Sequence, residues 1–146
     1  MDKVVLLVED NPSDEKLTLR AMRKSGIECE VVVARDGVEA LAMLFGTGAA
    51  DEPAPALPTL VLLDLKLPLL DGIEVLRRIR AAERTRRLPV LVLTSSPLEE
   101  DKAATRALGA NAYLLKPVEP SAFAEVARTI RVWLDSTDEP TDGEGG

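Results

Sequence analysis

Short unbroken apolar runs alternate along this chain with longer stretches in which apolar residues return every third or fourth position. The runs predict strands near residues 3–8, 30–35, 59–64, 89–95 and 111–116. They read as buried parallel strands, because a strand covered on both faces shows no polar alternation. Between them, Val38, Leu41, Leu44 and Phe45 form one helical stripe, and Ile73, Leu76 and Ile79 form another. Both stripes are predicted to face the core. The last helix carries the cleanest stripe, Phe123, Val126, Ala127, Ile130 and Leu134, with Trp133 beside it and partly exposed. Asn11-Pro12-Ser13-Asp14 and Ser96-Pro97-Leu98-Glu99-Glu100 mark helix starts. Each combines a capping side chain, a proline near the first turn and acids at the positive end of the dipole. Gly26 and Gly109 read as helix stops. Five strand–helix units joined by short connections imply an α/β domain with a parallel sheet covered on both faces, since crossovers are right-handed.

Two segments fall outside this rhythm. Residues 46–59 hold Gly46, Gly48, Pro53, Pro55 and Pro58, which predicts an extended loop before the third strand. Residues 135–146 read as a disordered acidic tail, leaving residues 1–134 as one domain. Five of the 25 acids lie in that tail, so most of the net charge of −7 belongs there and the body keeps 18 basic and 20 acidic residues. A balanced body argues against direct nucleic-acid binding, which needs a clustered basic surface. No apolar run reaches the roughly 20 residues that cross a bilayer, and the start of the chain lacks a signal-peptide pattern, so the expectation is a cytoplasmic protein without a membrane partner. The lone Cys29 has no internal disulfide partner and reads as strand filler. The absence of histidine removes imidazole base catalysis, the usual triads and most zinc sites. Any phosphohistidine must come from another protein.

The chemistry gathers where the apolar runs stop. Glu9 and Asp10 follow the first run, Asp64 follows the third, and Lys116-Pro117 closes the fifth. Strand ends on one rim of an open α/β sheet are where such sheets bind ligands. Carboxylates gathered there repel one another, and a divalent cation is the usual remedy. The pattern predicts a metal-assisted carboxylate site.

Glu9-Asp10, Asp64 followed by Pro68 and Asp71-Gly72, Thr94-Ser95-Ser96, Tyr113 and Lys116-Pro117 together resemble a response-regulator receiver domain of two-component signalling, over residues 3 to about 134. Each piece is weak alone, whereas their order and their placement on four of the strands are specific. The resemblance implies a flavodoxin-like doubly wound (βα)5 fold with strand order 2-1-3-4-5. It also implies Asp64 as phosphoacceptor for a partner sensor histidine kinase, with Lys116 and Thr94 as its catalytic companions. Mg²⁺ or Mn²⁺ is the implied cofactor, held by Glu9, Asp10, Asp64 and the Lys66 backbone carbonyl. Thr94 and Tyr113 become switch residues that move a face made of helix 4, strand 5 and helix 5. Lys66 and Ser96 stand where family members tune phosphate lifetime. Residues 41–48, the proline-rich insertion and Trp133-Leu134 resemble the stand-alone receivers that serve bacterial phytochromes. That narrower likeness implies a phytochrome-type kinase, and dimers built through the face containing the last helix. With only a short tail after that helix, the expected output is a contact with another protein, and catalysis is confined to the chain's own phosphorylation and dephosphorylation.

Plainer readings exist for each residue. Asp10 and Asp71 suit helix caps, Lys116 suits a solvated surface, and Thr94 and Tyr113 suit strand packing. Their joint presence reverses those odds. A flavin carrier of the same fold would place a phosphate loop after the first strand, where Glu9 and Asp10 would repel the anion. An aspartate-nucleophile phosphatase would need an acid two residues after Asp64, where Lys66 stands. A signalling module with a dead site would have lost a key residue, and none is lost.

Overall fold

Strand and helix alternate as the apolar pattern demands. In order they are β1 (Val4–Val8), α1 (Pro12–Lys24), β2 (Glu30–Ala34), α2 (Gly37–Phe45), β3 (Leu60–Leu63), α3 (Gly72–Ala81), β4 (Val90–Thr94), α4 (Glu99–Ala107), β5 (Ala112–Leu115) and α5 (Phe123–Ser136). This computed structural model describes residues 3–46, 53, 55–116 and 123–136. The expected acidic tail from residue 137, residues 47–52 and 54 of the expected loop, and Pro117 lie outside the described residues. Helix α5 runs to Ser136, two residues past the expected domain edge, and Asp135 lies 3.7 Å from the Lys3 ammonium. Among the described residues no helix is long and apolar enough to cross a membrane.

All strand pairs are parallel, and the sheet order is β2-β1-β3-β4-β5. Alternation along each strand divides the core in two. Leu6, Val8, Val61, Leu63 and Val90 pack against α2 and α3 through Leu44, Val75, Leu76 and Ile79. Val5, Leu7, Leu60, Leu62, Leu91 and Leu93 pack against α1 and α5 through Met22, Phe123, Val126, Ile130 and Leu134. The central strands β1 and β3, and β4 as far as Leu93, are therefore apolar throughout, because each successive side chain has a helix layer to enter.

The helix boundaries follow local chemistry. Asn11 caps α1 by accepting from the Ser13 and Asp14 amides, and Pro12 occupies the first turn. Gly26 and Gly109 follow the ends of α1 and α4 with positive φ, as the helix-stop reading expected. Two expectations need correction. In α2 the buried face is Gly37, Ala40 and Leu44, while Val38 and Phe45 point outward, 53% and 36% exposed. Small residues let α2 approach the sheet closely, and the larger apolar side chains at its ends fall off that contact. Ser96 does not cap α4: the cap residue is Leu98, without a side-chain bond. Ser96 Oγ instead donates to Asp101 Oδ2 at 2.6 Å and accepts from the Leu98 amide at 3.3 Å. Within α4 only Thr105 is fully buried, so this helix is the most lightly anchored of the five.

A half-buried guanidinium fastens the rim opposite to Glu9 and Asp64. Arg80, from the end of α3, donates to the carbonyl of Leu88 at 2.8 Å, ahead of β4. It also donates to the Gly109 carbonyl at 2.8 Å and to Asn111 Oδ1 at 3.0 Å, in the α4–β5 turn. Asn111 Oδ1 accepts from the Val90 amide as well. Cys29 precedes β2, half-buried, and burial pushes its thiol pKa up, consistent with a packing role.

Candidate functional site

Parallel register brings the acidic positions together. Val8 of β1 pairs with Leu63 of β3, so Glu9 and Asp64 leave adjacent strands at the same level. The Asp64 amide donates to the Val8 carbonyl at 3.1 Å, and the Glu9 amide to the Ala34 carbonyl at 2.9 Å. Pleating then turns Glu9 inward, where it is 1% exposed, and leaves Asp10 in solvent. Asp64 is also buried. Glu9, Asp10 and Asp64 each offer one carboxylate oxygen, and the three lie within 4.8 Å of one another.

From the far side of the sheet comes Lys116, directly after β5. Its amide donates to the Thr94 carbonyl at 2.8 Å, continuing the β4–β5 ladder. Its ammonium reaches Glu9 Oε1 at 2.7 Å, Asp14 Oδ2 at 2.8 Å and Asp64 Oδ2 at 2.9 Å. Burial alone would lower the lysine pKa, but hydrogen bonds to Asp14, Glu9 and Asp64 outweigh it and hold the value above the ordinary range. Burial raises the Glu9 pKa, opposed by Lys116 and by the Asn11 amide, which donates to Glu9 Oε2 at 3.1 Å. Three carboxylates therefore share a single ammonium, two of them buried, and Asp10 adds a fourth negative charge beside them. That residual negative charge, on hard oxygen donors, suits a divalent cation. With their oxygens already within 4.8 Å of one another, Glu9, Asp10 and Asp64 could hold one such ion together.

The acceptor loop is held tightly. Asp71 caps α3 by accepting from the Glu74 amide at 3.0 Å. A Cβ placed on Gly72 would lie 2.2 Å from the Asp64 carbonyl oxygen and 2.7 Å from Leu65 Cα. Asp71-Gly72 is thus more than a turn: only glycine lets α3 begin directly against the Asp64 backbone. Lys66 lies two residues after Asp64 with an exposed side chain, and its amide faces Asp64 Oδ1 at 3.3 Å.

Thr94 ends β4 fully buried, and its Oγ1 accepts from the Ser96 amide at 3.4 Å. Tyr113, on β5, donates its hydroxyl to the Ser96 carbonyl at 2.7 Å, and the Lys102 ammonium lies 5.9 Å from its ring centroid. The β4–α4 loop therefore connects Thr94, Ser96 and Tyr113. The structure brings Glu9, Asp10, Asp64 and Lys116 into one cluster, with Thr94 beside Lys116 through the β4–β5 ladder. Two participants escape sequence reasoning. Asp14 joins the Lys116 ammonium, although its position already has a sufficient explanation in the first turn of α1. Asp101 holds Ser96 in place, and nothing in its local pattern distinguishes it from neighbouring Glu99 and Glu100.

Comparison with known proteins finds likeness over most of the chain. The family model of the response regulator receiver domain matches residues 5–128. Response regulator Rcp1 of the cyanobacterium Synechocystis sp. is 39% identical over 139 residues, covering 94% of this chain and 93% of that protein. The crystal structure of the phosphorylated cyanobacterial phytochrome response regulator RcpA has a TM-score of 0.81 at 37% identity, covering 94% of this chain and 96% of that one. The Mn²⁺-bound form of Rcp1 has a TM-score of 0.79 at 38% identity, with coverages of 90% and 94%.

Proposed function

Because the chain belongs to the response regulator receiver domain family, we propose that it accepts a phosphoryl group from the phosphohistidine of a sensor histidine kinase onto Asp64. The observation that carries this reading is the convergence of Lys116 on Asp64, at 2.9 Å, beside two further carboxylates able to share an ion. An oxygen of the Asp64 carboxylate forms a bond to phosphorus as the P–N bond of the donor breaks, and the imidazole leaves with that electron pair. Carboxylate attack on phosphorus needs little base assistance. What limits the step is repulsion between an anion and an anionic phosphoryl group.

Glu9, Asp10, Asp64 and the Lys66 backbone carbonyl would hold Mg²⁺ or Mn²⁺, consistent with the Mn²⁺ bound by the Rcp1 relative. When bound, the ion neutralises charge that develops on the phosphoryl oxygens. Lys116 orients the acceptor carboxylate and then donates to the phosphoryl group. Thr94 donates its hydroxyl to the same group, which draws the β4–α4 loop inward. Because Tyr113 is bonded to the Ser96 carbonyl of that loop, the displacement reaches the face formed by α4, β5 and α5. Light anchoring of α4 favours such movement.

Of the elements of that face, β5 exposes Leu115 (45%) and α5 exposes Val132 (58%), while Trp133 of α5 is half-buried. The face offers an apolar contact for a downstream protein or for a second copy of the chain. The likeness to phytochrome response regulators supports a phytochrome-type kinase as donor, with the protein working in the cytoplasm. Intact-mass measurement after incubation with Mg²⁺ and acetyl phosphate tests the acceptor. One alkali-labile phosphoryl adduct is expected on the wild type, and none on Asp64→Asn or after chelation. An equal adduct on Asp64→Asn would remove the assignment.

A further inference from the structure

An ammonium has three donors, and those of Lys116 are fully occupied. Glu9, Asp14 and Asp64 each take one, at 2.7, 2.8 and 2.9 Å. A phosphoryl group arriving at Asp64 finds no free donor on the lysine. One carboxylate has to yield, and the three are unequal. The Glu9 side chain is 2% exposed and fixed by the Asn11 amide, so depriving it of its cation would strand a buried charge. Asp64 is the nucleophile itself. Asp14 is 37% exposed and stands in the first turn of α1, where water and the positive helix end can solvate its charge. It is the partner that releases Lys116 at least cost.

Helix propensity alone does not account for this arrangement. Glu15, the other acid of that turn, points away and pairs with Arg35. Asp14 turns inward to the lysine, and Asn11 fixes its backbone by accepting from its amide at 3.1 Å.

Resting on the reading of Asp64 as acceptor, we propose that Asp14 is a positioning residue that restrains Lys116 in the unphosphorylated state and so slows phosphoryl acceptance. In the transfer from acetyl phosphate, an Asp64 oxygen bonds to phosphorus while the P–O bond to acetate breaks, and acetate leaves with the electron pair. The developing charge on the phosphoryl oxygens calls for the donor that Asp14 holds. The Asp14 carboxylate also adds negative charge beside an anionic reactant. Both effects act in the same direction.

Uptake from acetyl phosphate at saturating Mg²⁺, followed by intact mass, is expected to be roughly three- to tenfold faster in Asp14→Asn than in wild type. Acting through the ammonium, the substitution should lose its effect in a Lys116→Met background. An unchanged or slower rate in Asp14→Asn, or an equal acceleration with Lys116 replaced, overturns the proposal. Proton exchange of the Lys116 ammonium, read by nitrogen-resolved NMR, needs neither uptake nor the second variant. It should be slow in wild type and several-fold faster in Asp14→Asn, and equal exchange in the two proteins again overturns the restraint. Absence of an Asp64-dependent adduct on wild type would instead overturn the acceptor reading itself, so the two failures are distinguishable.

Discussion

One ammonium set against four carboxylates makes the rim a place of unbalanced charge, and this imbalance was readable before any fold was known. Glu9, Asp64 and Lys116 each follow an apolar run directly, with Asp10 one residue on, and a charge in that position has only a strand end to occupy. Asp14 was not legible as part of the cluster, because an acid in a first helical turn already satisfies the dipole and asks for no further explanation. Tyr113 offers a direct test at this level, being the only tyrosine in the chain. Burial raises its pKa above the ordinary 10.0, the charges of Asp101, Asp64 and Glu99 push it the same way, and the Ser96 side chain opposes the shift only in part. The folded state therefore favours the neutral phenol. Its contribution to stability is complete below the unfolded-state pKa and is lost as pH rises through the higher folded-state value. Ultraviolet titration should place phenolate formation later in the native protein than in urea. Coincident curves would show that the hydroxyl is not held.

Strands were more legible than helices, for a simple reason. A strand covered on both faces declares itself by apolar continuity, and all five appear within a residue or two of the expected limits. In α2 the contact face rests on Gly37 and Ala40, residues too small to register in a hydrophobic stripe. The loop from β3 to α3 contains the one described non-glycine residue with positive φ, Leu69 at 71°, which is also 78% exposed. A leucine there gains no burial to offset its backbone strain. Leu69→Gly should relieve about 1 kcal/mol of that strain, diminished by the added freedom of the unfolded chain, and raise the urea midpoint. Gly72→Ala, by contrast, should lower stability by about 2 kcal/mol and slow phosphoryl uptake, because the added methyl collides with the Asp64 backbone. Equal midpoints for all three proteins would contradict the tight description of this loop.

Taken as a whole, the molecule separates a charged rim from an apolar side face. Leu115 of β5 and Val132 of α5 are the exposed large apolar side chains of these elements. If that face joins two copies, light scattering should give a dimer mass at micromolar concentration, and Val132→Asp should give a monomer with an unchanged thermal midpoint. A wild-type monomer at every concentration would remove the homodimer and leave the face to a different protein. Which protein that is was never written in the periodicity, since an exposed apolar pair specifies a contact without its partner. The two ends of β5 differ in kind. Below, Arg80 bolts the α4–β5 turn to the start of β4 through the Leu88 and Gly109 carbonyls and Asn111. Above, Lys116 is held by charges that another anion can replace. An anion that draws on the ammonium therefore acts on one end of β5 while the guanidinium keeps hold of the other.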